Sequence, residues 1–312
     1  MAEAVRFSHA SPVTASSIFE RQNGATALRA ACAFRRRYVL AKRWRALRLV
    51  VAALLGTGGV VLALLQPATA DYVAATAAGW IVVSRVFIEP QERREQEQGA
   101  LAQEAFDVEV LELPWNATAA GPRPEPEDLR NWGHRCSPDG VRNWYADTRP
   151  ARAPVDALIC QRSSLTWARQ DHQTYARVLR AGAVGTWVVS IVIAVVLQLS
   201  VGEYLLRLGL PILPALLDVW DIATANETLG RRRASIAGEA NRLYTRAREA
   251  GVPPSVHDCR RLQDEIFSSR RVMQVPEWFY RLTRERRQQN MAEVVHEQVE
   301  ELPRALQEAA PD

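Results

Sequence analysis

The chain has 312 residues, with 39 Lys and Arg against 35 Asp and Glu, and a formal net charge of +4. So small an excess argues against a protein that coats DNA or RNA, because such proteins set many cationic side chains against the phosphates. The sequence has no P-loop, GxSxG, HExxH or Rossmann glycine motif, so we expect no catalytic residues, no cofactor and no enzymatic activity.

The first candidate membrane span follows a cytoplasmic N-terminal segment, 1–47, whose second half is an arginine-rich helical stretch. Residues 49–65 carry no charge and are just long enough for a helix to cross a hydrocarbon core about 30 Å thick. Residues 72–88 follow, interrupted only by Arg85. The connector between these runs is too short to hold a domain, so we predict a transmembrane hairpin over 48–88.

A middle domain, 89–178, is predicted to be mostly helical with a small strand-containing region. Residues 106–110 alternate apolar and acidic side chains, which is the period of a half-buried strand. A proline-rich linker, 121–126, precedes a predicted helix over 127–135. From Val155 onward the pattern is helical and runs without a break into the third span.

A second transmembrane hairpin is predicted over 179–220. Its first run, 181–202, is uncharged and long enough to span the bilayer, and we place the turn at 202–203. Its second run, 204–220, is interrupted by Arg207, Pro211, Pro214 and Asp218. We expect Arg207, near the outer end, to snorkel toward the headgroups. Since helices satisfy their own backbone groups in lipid, the four runs predict four transmembrane helices in two hairpins.

Small residues and prolines inside the predicted spans favour close packing or bending. Gly56, Gly58 and Gly59 have no side chain and permit close contact between spans or between protomers. Pro211 and Pro214 free backbone carbonyls and bend their helix, which suits a gate as well as fixed packing.

Basic residues flank one end of every run, whereas the two turns carry no Arg or Lys. Because Arg and Lys are enriched on the cytoplasmic side of membrane helices, we predict a multi-pass protein with both termini and the middle domain in the cytoplasm. The four cysteines then face a reducing compartment, and we expect free thiols. The flanking residues are Arg35, Arg36, Arg37, Lys42, Arg43, Arg45, Arg48, Arg93, Arg94, Arg177, Arg180, Arg231, Arg232 and Arg233.

The C-terminal region, 221–312, is predicted to be almost wholly helical. Ser255 is a suitable N-cap for a helix that runs to about Arg271, and Pro276 is well placed to begin the last helix. We expect an apolar stripe of the last helix to pack against the other cytoplasmic helices, and self-association through this stripe is the alternative. The stripe comprises Met291, Val294, Val295, Val299, Leu302 and Leu306.

Aromatic and arginine side chains outside the spans are candidates for binding a nucleotide. Trp115 with Asn116, Trp144 with Tyr145, and Trp167 could stack on nucleobases, and Arg162 could contact phosphate. The alternative is that the aromatic residues form the core of a small domain that is poor in phenylalanine.

Two His-x-Cys pairs suggest a different chemistry. His134 with Cys136, and His257 with Cys259, could together supply two nitrogens and two thiolates to zinc. Structural zinc sites usually have wider ligand spacing, so we expect no metal. A membrane-anchored metal-dependent enzyme is the corresponding alternative function.

Several short segments occur in order over most of the chain, and as a set they resemble the SMODS-associating four-transmembrane effector family. Paired spans fall where that family has them. Phe267, Ser164 and Ala168 depart from the family pattern. The segments are Arg21-Gln22-Asn23 with Tyr38 and Ala41-Lys42, Phe106-Asp107 leading to Leu113-Pro114-Trp115-Asn116, Asn143-Trp144-Tyr145, Gln161-Arg162-Ser163 with Leu165 and Trp167, Arg261-Leu262-Gln263-Asp264 with Phe267 and Arg270, and Pro276 with Phe279-Tyr280 and Arg284.

The resemblance implies a bacterial antiphage effector in the inner membrane. Such an effector responds to a cyclic oligonucleotide second messenger and disrupts the membrane as an oligomeric pore, which gives abortive infection. The implied partners are the nucleotide, the lipid bilayer and further copies of the chain, with no DNA or RNA. A membrane scaffold or sensor that recruits a partner protein is the alternative. The residues that we expect to bind the ligand are Trp115, Asn116, Trp144, Arg162 and Arg261.

Overall fold

The computed structural model describes residues 16–272, 275–276, 279 and 293–307, with the backbone only of residues 167–171. This part of the chain is mostly helical and contains no sheet. Its β-pairing is limited to an isolated antiparallel bridge between Ala151 and Gln307. The prediction of a mainly helical protein is confirmed.

The helices differ greatly in length, and four of them exceed 20 residues. A π-helical turn, Ser84–Ile88, joins α3 to α4, and a second one, Leu205–Gly209, joins α8 to α9. In chain order the α-helices are α1 (Ile18–Arg21), α2 (Ala25–Leu65), α3 (Ala70–Val83), α4 (Glu89–Val110), α5 (Ala117–Ala120), α6 (Pro126–Trp132), α7 (Val155–Val196), α8 (Val201–Tyr204), α9 (Leu210–Ala250), α10 (Val256–Arg270) and α11 (293–300).

Local signals set several helix ends. Ser255 caps α10, accepting from the Asp258 N–H at 3.0 Å while the Asp258 carboxylate accepts from the Ser255 N–H. Pro126 begins α6, where a missing N–H costs nothing. Gly251 ends α9 with a φ of 62°, a left-handed conformation that glycine adopts without strain.

The structure confirms that helices continue from the polar segments into the apolar runs. Helix α2 includes both the arginine-rich stretch and the first run, and α7 includes both residues 155–178 and most of the third. The second turn lies earlier than predicted. Helix α7 ends at Val196, and Ser200 begins α8 with a capping box, so the turn falls at 197–200 rather than at 202–203.

The predicted strand at 106–110 is wrong, because these residues form the last turns of α4. Phe106, Asp107 and Val110 are all buried there, whereas Glu109 is exposed. A helix end that is surrounded on nearly every side shows no clear 3.6-residue period. Asp107 is acidic but buried, whereas the strand prediction took acidic residues to face solvent. The alternation of residue types therefore did not reflect alternating burial.

Two apolar hairpins carry many exposed hydrophobic side chains, as a lipid environment requires. The first hairpin is residues 48–88 and the second is residues 179–220. Three helices of the described chain are long and apolar enough to cross a membrane: Ala25–Leu65, Pro67–Val110 and His172–Val196.

The segment 204–220 does not reach the same length and composition, so the four-span topology stays a prediction. The segment nevertheless lies against the first hairpin. A Cβ built on Gly56 would lie 3.2 Å from the Pro211 carbonyl oxygen, and one on Gly59 would lie 2.7 Å from Val73 Cγ1. Gly58 has open space beside it. Two of the three glycines therefore permit close contact between spans of one protomer.

The remaining segments form one helical unit, which we call the polar body: residues 16–47, 89–178, 221–272 and 293–307. The larger of two hydrophobic clusters among the described residues joins its N-terminal, middle and C-terminal parts, with Phe34, Phe106 and Leu158 almost completely buried. The C-terminal stripe belongs to this core through Val295, Val299, Leu302 and Leu306. This confirms the expected packing for these residues, while Val294 is exposed and Met291 lies outside the described residues.

Candidate functional site

A carboxylate from α4 accepts three donors at the centre of the polar body. Asp107 is completely buried and accepts hydrogen bonds from the Tyr145 hydroxyl and the Gln263 amide, each at 2.7 Å. Arg270, at the end of α10, forms an ion pair with the same carboxylate. Burial raises the pKa of Tyr145 well above its ordinary value, and the negative charge of Asp107 raises it further. Tyr145 is therefore a neutral donor.

A second buried carboxylate extends this network. Glu104 accepts from Arg260 Nη2 at 2.6 Å and from Gln263 Nε2 at 2.9 Å. Gln161 of α7 donates to the Gln263 side-chain oxygen at 3.1 Å and to the Cys259 carbonyl at 2.8 Å. Burial raises the pKa of Glu104 above its ordinary value. The network thus connects α4, α7 and α10 by buried hydrogen bonds and ion pairs.

The N-terminal segment joins the same assembly. The Gln22 amide accepts from the Tyr145 N–H at 2.7 Å and donates to the Tyr145 carbonyl at 3.2 Å. Asn23 donates to the Asn143 side-chain oxygen at 2.9 Å. Many of the residues that carry the sequence resemblance therefore bond one another in the interior, where they fix the position of the helices.

Three of the predicted ligand-binding residues, Trp115, Asn116 and Trp144, contact other groups of the polar body and do not line the cleft described below. Trp115 is partly buried against the core and donates from Nε1 to a backbone carbonyl at 2.8 Å. Asn116 caps α5 and donates to Asp264 of α10 at 2.9 Å. Trp144 is exposed and packs edge-on against Phe34, with ring centroids 4.8 Å apart.

The two predicted arginines have different surroundings. Arg261 lies on an exposed side of α10 and forms an ion pair with Glu239 of α9. Arg162 of α7 stacks on the Tyr244 ring, with its guanidinium carbon 4.4 Å from the ring centroid, and donates to Asn241 at 2.6 Å. Of the five predicted ligand residues, Arg162 alone lines the cleft described next.

A cleft of about 410 Å³ lies between α7, α9 and α11. This volume is within the range of small-molecule sites. The Nη1 atom of Arg162 is buried in the cleft wall without a hydrogen-bond partner among the described residues. The lining residues are Arg162, Asn241, Tyr244, Thr245, Arg248, Val294, Glu297, Gln298 and Glu301.

The cleft wall is partly shielded from solvent, because Tyr244 is buried and Arg162 is half-buried. Burial lowers the pKa of Arg162 from its ordinary value, and burial together with the Glu301 carboxylate raises the pKa of Tyr244 to about 12. Arg248 bonds Glu301 at 3.2 Å at the rim. A guanidinium that is poorly solvated and has a free N–H is suited to bind phosphate.

A second charged assembly, the inter-hairpin ionic cluster, lies where the apolar hairpins meet the polar body. Its centre is Arg48 of α2, which lies 3.5 Å from Glu89, 3.6 Å from Glu92 and 3.6 Å from Asp218. These contacts join the first hairpin to α9 of the second. The cluster comprises Arg45, Arg48, Arg85, Glu89, Glu92, Asp218 and Asp221.

The two His-x-Cys pairs are not brought together. The Cys136 thiol lies beside Cys32 of α2, whereas Cys259 is buried against the Pro154 carbonyl at 3.6 Å. Among the described residues, no group of three or more His, Cys, Asp or Glu is placed to hold a metal ion. The four-ligand zinc site is therefore not formed.

Sequence reasoning missed the buried acids and bases. Asp107 was assigned to the polar face of a predicted strand, Glu104 and Arg260 were not singled out, and Arg48 was treated only as a topology marker. One available signal was the regular spacing of Glu104 and Asp107, which places both carboxylates on one helical face opposite partners that only the tertiary structure supplies.

Comparison with known proteins gives the family. The model of the SMODS-associating 4TM effector domain matches residues 16–298. The chain belongs to the SMODS-associating 4TM effector family. It is also 25% identical over 220 residues to a protein of Bacillus cereus (strain VD146) described as a probable CBASS effector molecule, a match that covers 69% of this chain and 73% of that protein. No solved structure matches.

Family membership agrees with the resemblance found in the sequence. The matched range includes the polar body network, the cleft-lining arginine and both apolar hairpins. This SMODS-associating 4TM effector is thus a membrane protein whose hairpins and polar body share continuous helices.

Proposed function

We propose that this chain is an antiphage effector of the bacterial inner membrane, activated by a cyclic oligonucleotide and injuring the membrane through an oligomeric pore. Its membership of an effector family and its likeness to a probable CBASS effector support the proposal. Both termini lie in the cytoplasm in this proposal, where a soluble messenger meets the polar body.

The continuity of α7 is the observation that carries the proposal. Arg162 lines the cleft near the start of α7, and the far end of the same helix is the exposed apolar run of the second hairpin. A rigid helix moves as a unit, so a change at the cleft displaces the membrane end. Helix α2 provides a second unbroken connection to the first hairpin.

The ligand enters the cleft in this mechanism. The free Nη1 of Arg162 contacts a phosphate oxygen of the nucleotide, and the amide of Asn241 orients the guanidinium. The base lies over the apolar side of Val294, which is exposed at the mouth of the cleft.

The inter-hairpin ionic cluster transmits the change. Because Arg48, at the start of the first hairpin, binds Asp218 of the second hairpin, the hairpins separate only when this contact breaks. A single protomer encloses no wide channel, so conduction requires several copies packed through their apolar surfaces. Exposed side chains such as Leu54, Trp187 and Val195 supply those surfaces.

Calorimetry on the detergent-purified full chain with a panel of cyclic di- and trinucleotides tests ligand binding. Arg162→Gln is expected to weaken binding roughly tenfold or more, because a charge-assisted hydrogen bond is lost. Arg261→Gln, the matched change at an exposed arginine, is expected to leave binding unchanged. Absence of binding across the panel would overturn the nucleotide trigger.

Dye release from liposomes containing the protein tests the membrane step. The nucleotide that binds in calorimetry is expected to cause release, and liposomes containing Arg162→Gln are expected to require a higher concentration. Binding without release would contradict membrane disruption and would favour a sensor that recruits another protein.

A further inference from the structure

Arg233 of α9 is a buried cation without a carboxylate partner. Its residue surface is 7% exposed, and its Nε is buried without a hydrogen-bond acceptor among the described residues. No salt bridge from the Arg233 guanidinium forms within the part of the chain that the structure describes. A buried ion of this kind is costly unless an opposite charge compensates it.

The other buried arginines of the described chain all have carboxylate partners. Arg45 bonds Glu92 at 2.6 Å, and Arg48 lies among three acids. Arg260 bonds Glu104, and Arg270 bonds Asp107. The protein therefore compensates its internal cations with acids, and Arg233 is the exception.

The surroundings of Arg233 increase the need for an anion. The positive charge of Arg270 acts on Arg233, and burial together with that charge lowers the pKa of Arg233 to about 10. The guanidinium is thus still protonated at neutral pH. Tyr38 offers no compensation, because burial raises its own pKa and its hydroxyl donates to Gln103 at 2.9 Å.

We propose that Arg233 binds a small inorganic anion, chloride or phosphate, inside the polar body. Both anions accept hydrogen bonds from the N–H groups of a guanidinium and neutralise its charge. The burial of Arg233 favours a small ion over a nucleotide. The position is also distinct from the cleft, since Asn241 and Tyr244 lie roughly 12–16 Å farther along α9 at 1.5 Å per residue. The inference goes beyond the proposed function and does not depend on it.

Anion-dependent thermal unfolding of the full chain in detergent tests the proposal. Sodium gluconate is replaced by sodium chloride or sodium phosphate at constant ionic strength, so that general screening stays the same. The wild-type Tm is expected to rise with chloride or phosphate, and to keep rising with the logarithm of the concentration above Kd. The anion that gives the larger shift identifies the preferred ligand.

Arg233→Met is expected to abolish the anion-dependent shift and to raise the Tm in gluconate, because it removes an uncompensated buried charge. Arg232→Met changes the preceding, more exposed arginine and is expected to retain the shift. Arg233→Lys keeps the charge and serves as a second variant, with a reduced but measurable shift. A wild-type Tm that is insensitive to both anions, or an undiminished shift in Arg233→Met, would overturn the proposal.

Discussion

Arg48 Nε and Asp218 Oδ1 lie 3.6 Å apart, and this contact joins the first hairpin to the second. Both side chains are almost completely buried, with 5% of each exposed. Arg48 also faces Glu89 and Glu92 of α4, so one guanidinium is shared among three carboxylates. The relative position of the hairpins therefore depends on Arg48.

Arg48→Met is expected to release the hairpins without any ligand. Loss of one partner of a buried ion pair costs about 3–5 kcal/mol, and here it removes the shared partner of Glu89 and Glu92 of α4 and of Asp218 of the second hairpin. Expression in cells that do not make the cyclic oligonucleotide is then expected to depolarise the cell membrane, as a potential-sensitive dye reports. Arg93→Met is the control, because Arg93 bonds Glu89 at 2.6 Å but is 76% exposed. If neither variant depolarises the membrane at equal protein levels, the Arg48 contacts do not hold the hairpins in an inactive arrangement.

Gly59→Leu is expected to destabilise the helical packing, whereas Gly58→Leu is not. A Cβ at Gly59 meets Val73 at 2.7 Å, while Gly58 has open space. Overpacking of this kind costs about 1–3 kcal/mol, so Gly59→Leu is expected to lower Tm and toxicity together. Loss of toxicity in Gly58→Leu at unchanged Tm would show that the functional contact lies between protomers instead.

Asp107→Asn is expected to destabilise the polar body strongly. The substitution removes the carboxylate that pairs with Arg270 and accepts from Tyr145 and Gln263, at a cost of about 3–5 kcal/mol. Thermal unfolding in detergent measures the change. Glu109→Gln, two residues away on an exposed position, is expected to cost less than about 1 kcal/mol. Similar losses in the two variants would mean that the buried network contributes little.

Tyr244 is expected to give the protein an alkaline dependence of stability. Its folded-state pKa is about 12 against an ordinary value of 10.0, so between these values the folded state keeps a proton that the unfolded chain has lost. The stability contributed by protonated Tyr244 is present below pH 10 and is lost as the pH rises toward 12. The difference in unfolding free energy between wild type and Tyr244→Phe should decline over this interval. A constant difference would contradict the shift.

Cys136 is expected to be the thiol that reports topology. It is partly exposed, whereas Cys32, Cys160 and Cys259 are buried. A membrane-impermeant maleimide should leave intact cells unlabelled and should label one thiol after lysis. Gln198→Cys places a thiol in the turn between α7 and α8 and should react before lysis. Labelling of Cys136 in intact cells would reverse the predicted orientation.

The candidate site could be predicted only in part. Arg162 was chosen because its residue type suits phosphate, and it lines a ligand-sized cleft, although its binding role stays a prediction. Trp115, Asn116 and Trp144 were chosen by the same reasoning, yet they contact a backbone carbonyl, Asp264 and Phe34. Residue type predicts what a side chain is able to bind. It does not reveal that another group of the folded chain already contacts that side chain.

The sequence by itself determined the apolar runs and the continuity of the helices, because hydropathy, length and caps are properties of neighbouring residues. For this reason α2, α7 and the Ser255 cap were predictable. Only the tertiary structure decided that residues 106–110 are helical and that Arg48 joins the two hairpins. It also left Arg233 buried without an acid among the described residues. These outcomes depend on interactions between groups that lie far apart in the chain. Such interactions form, and the groups lose their hydration, only when the helices pack together.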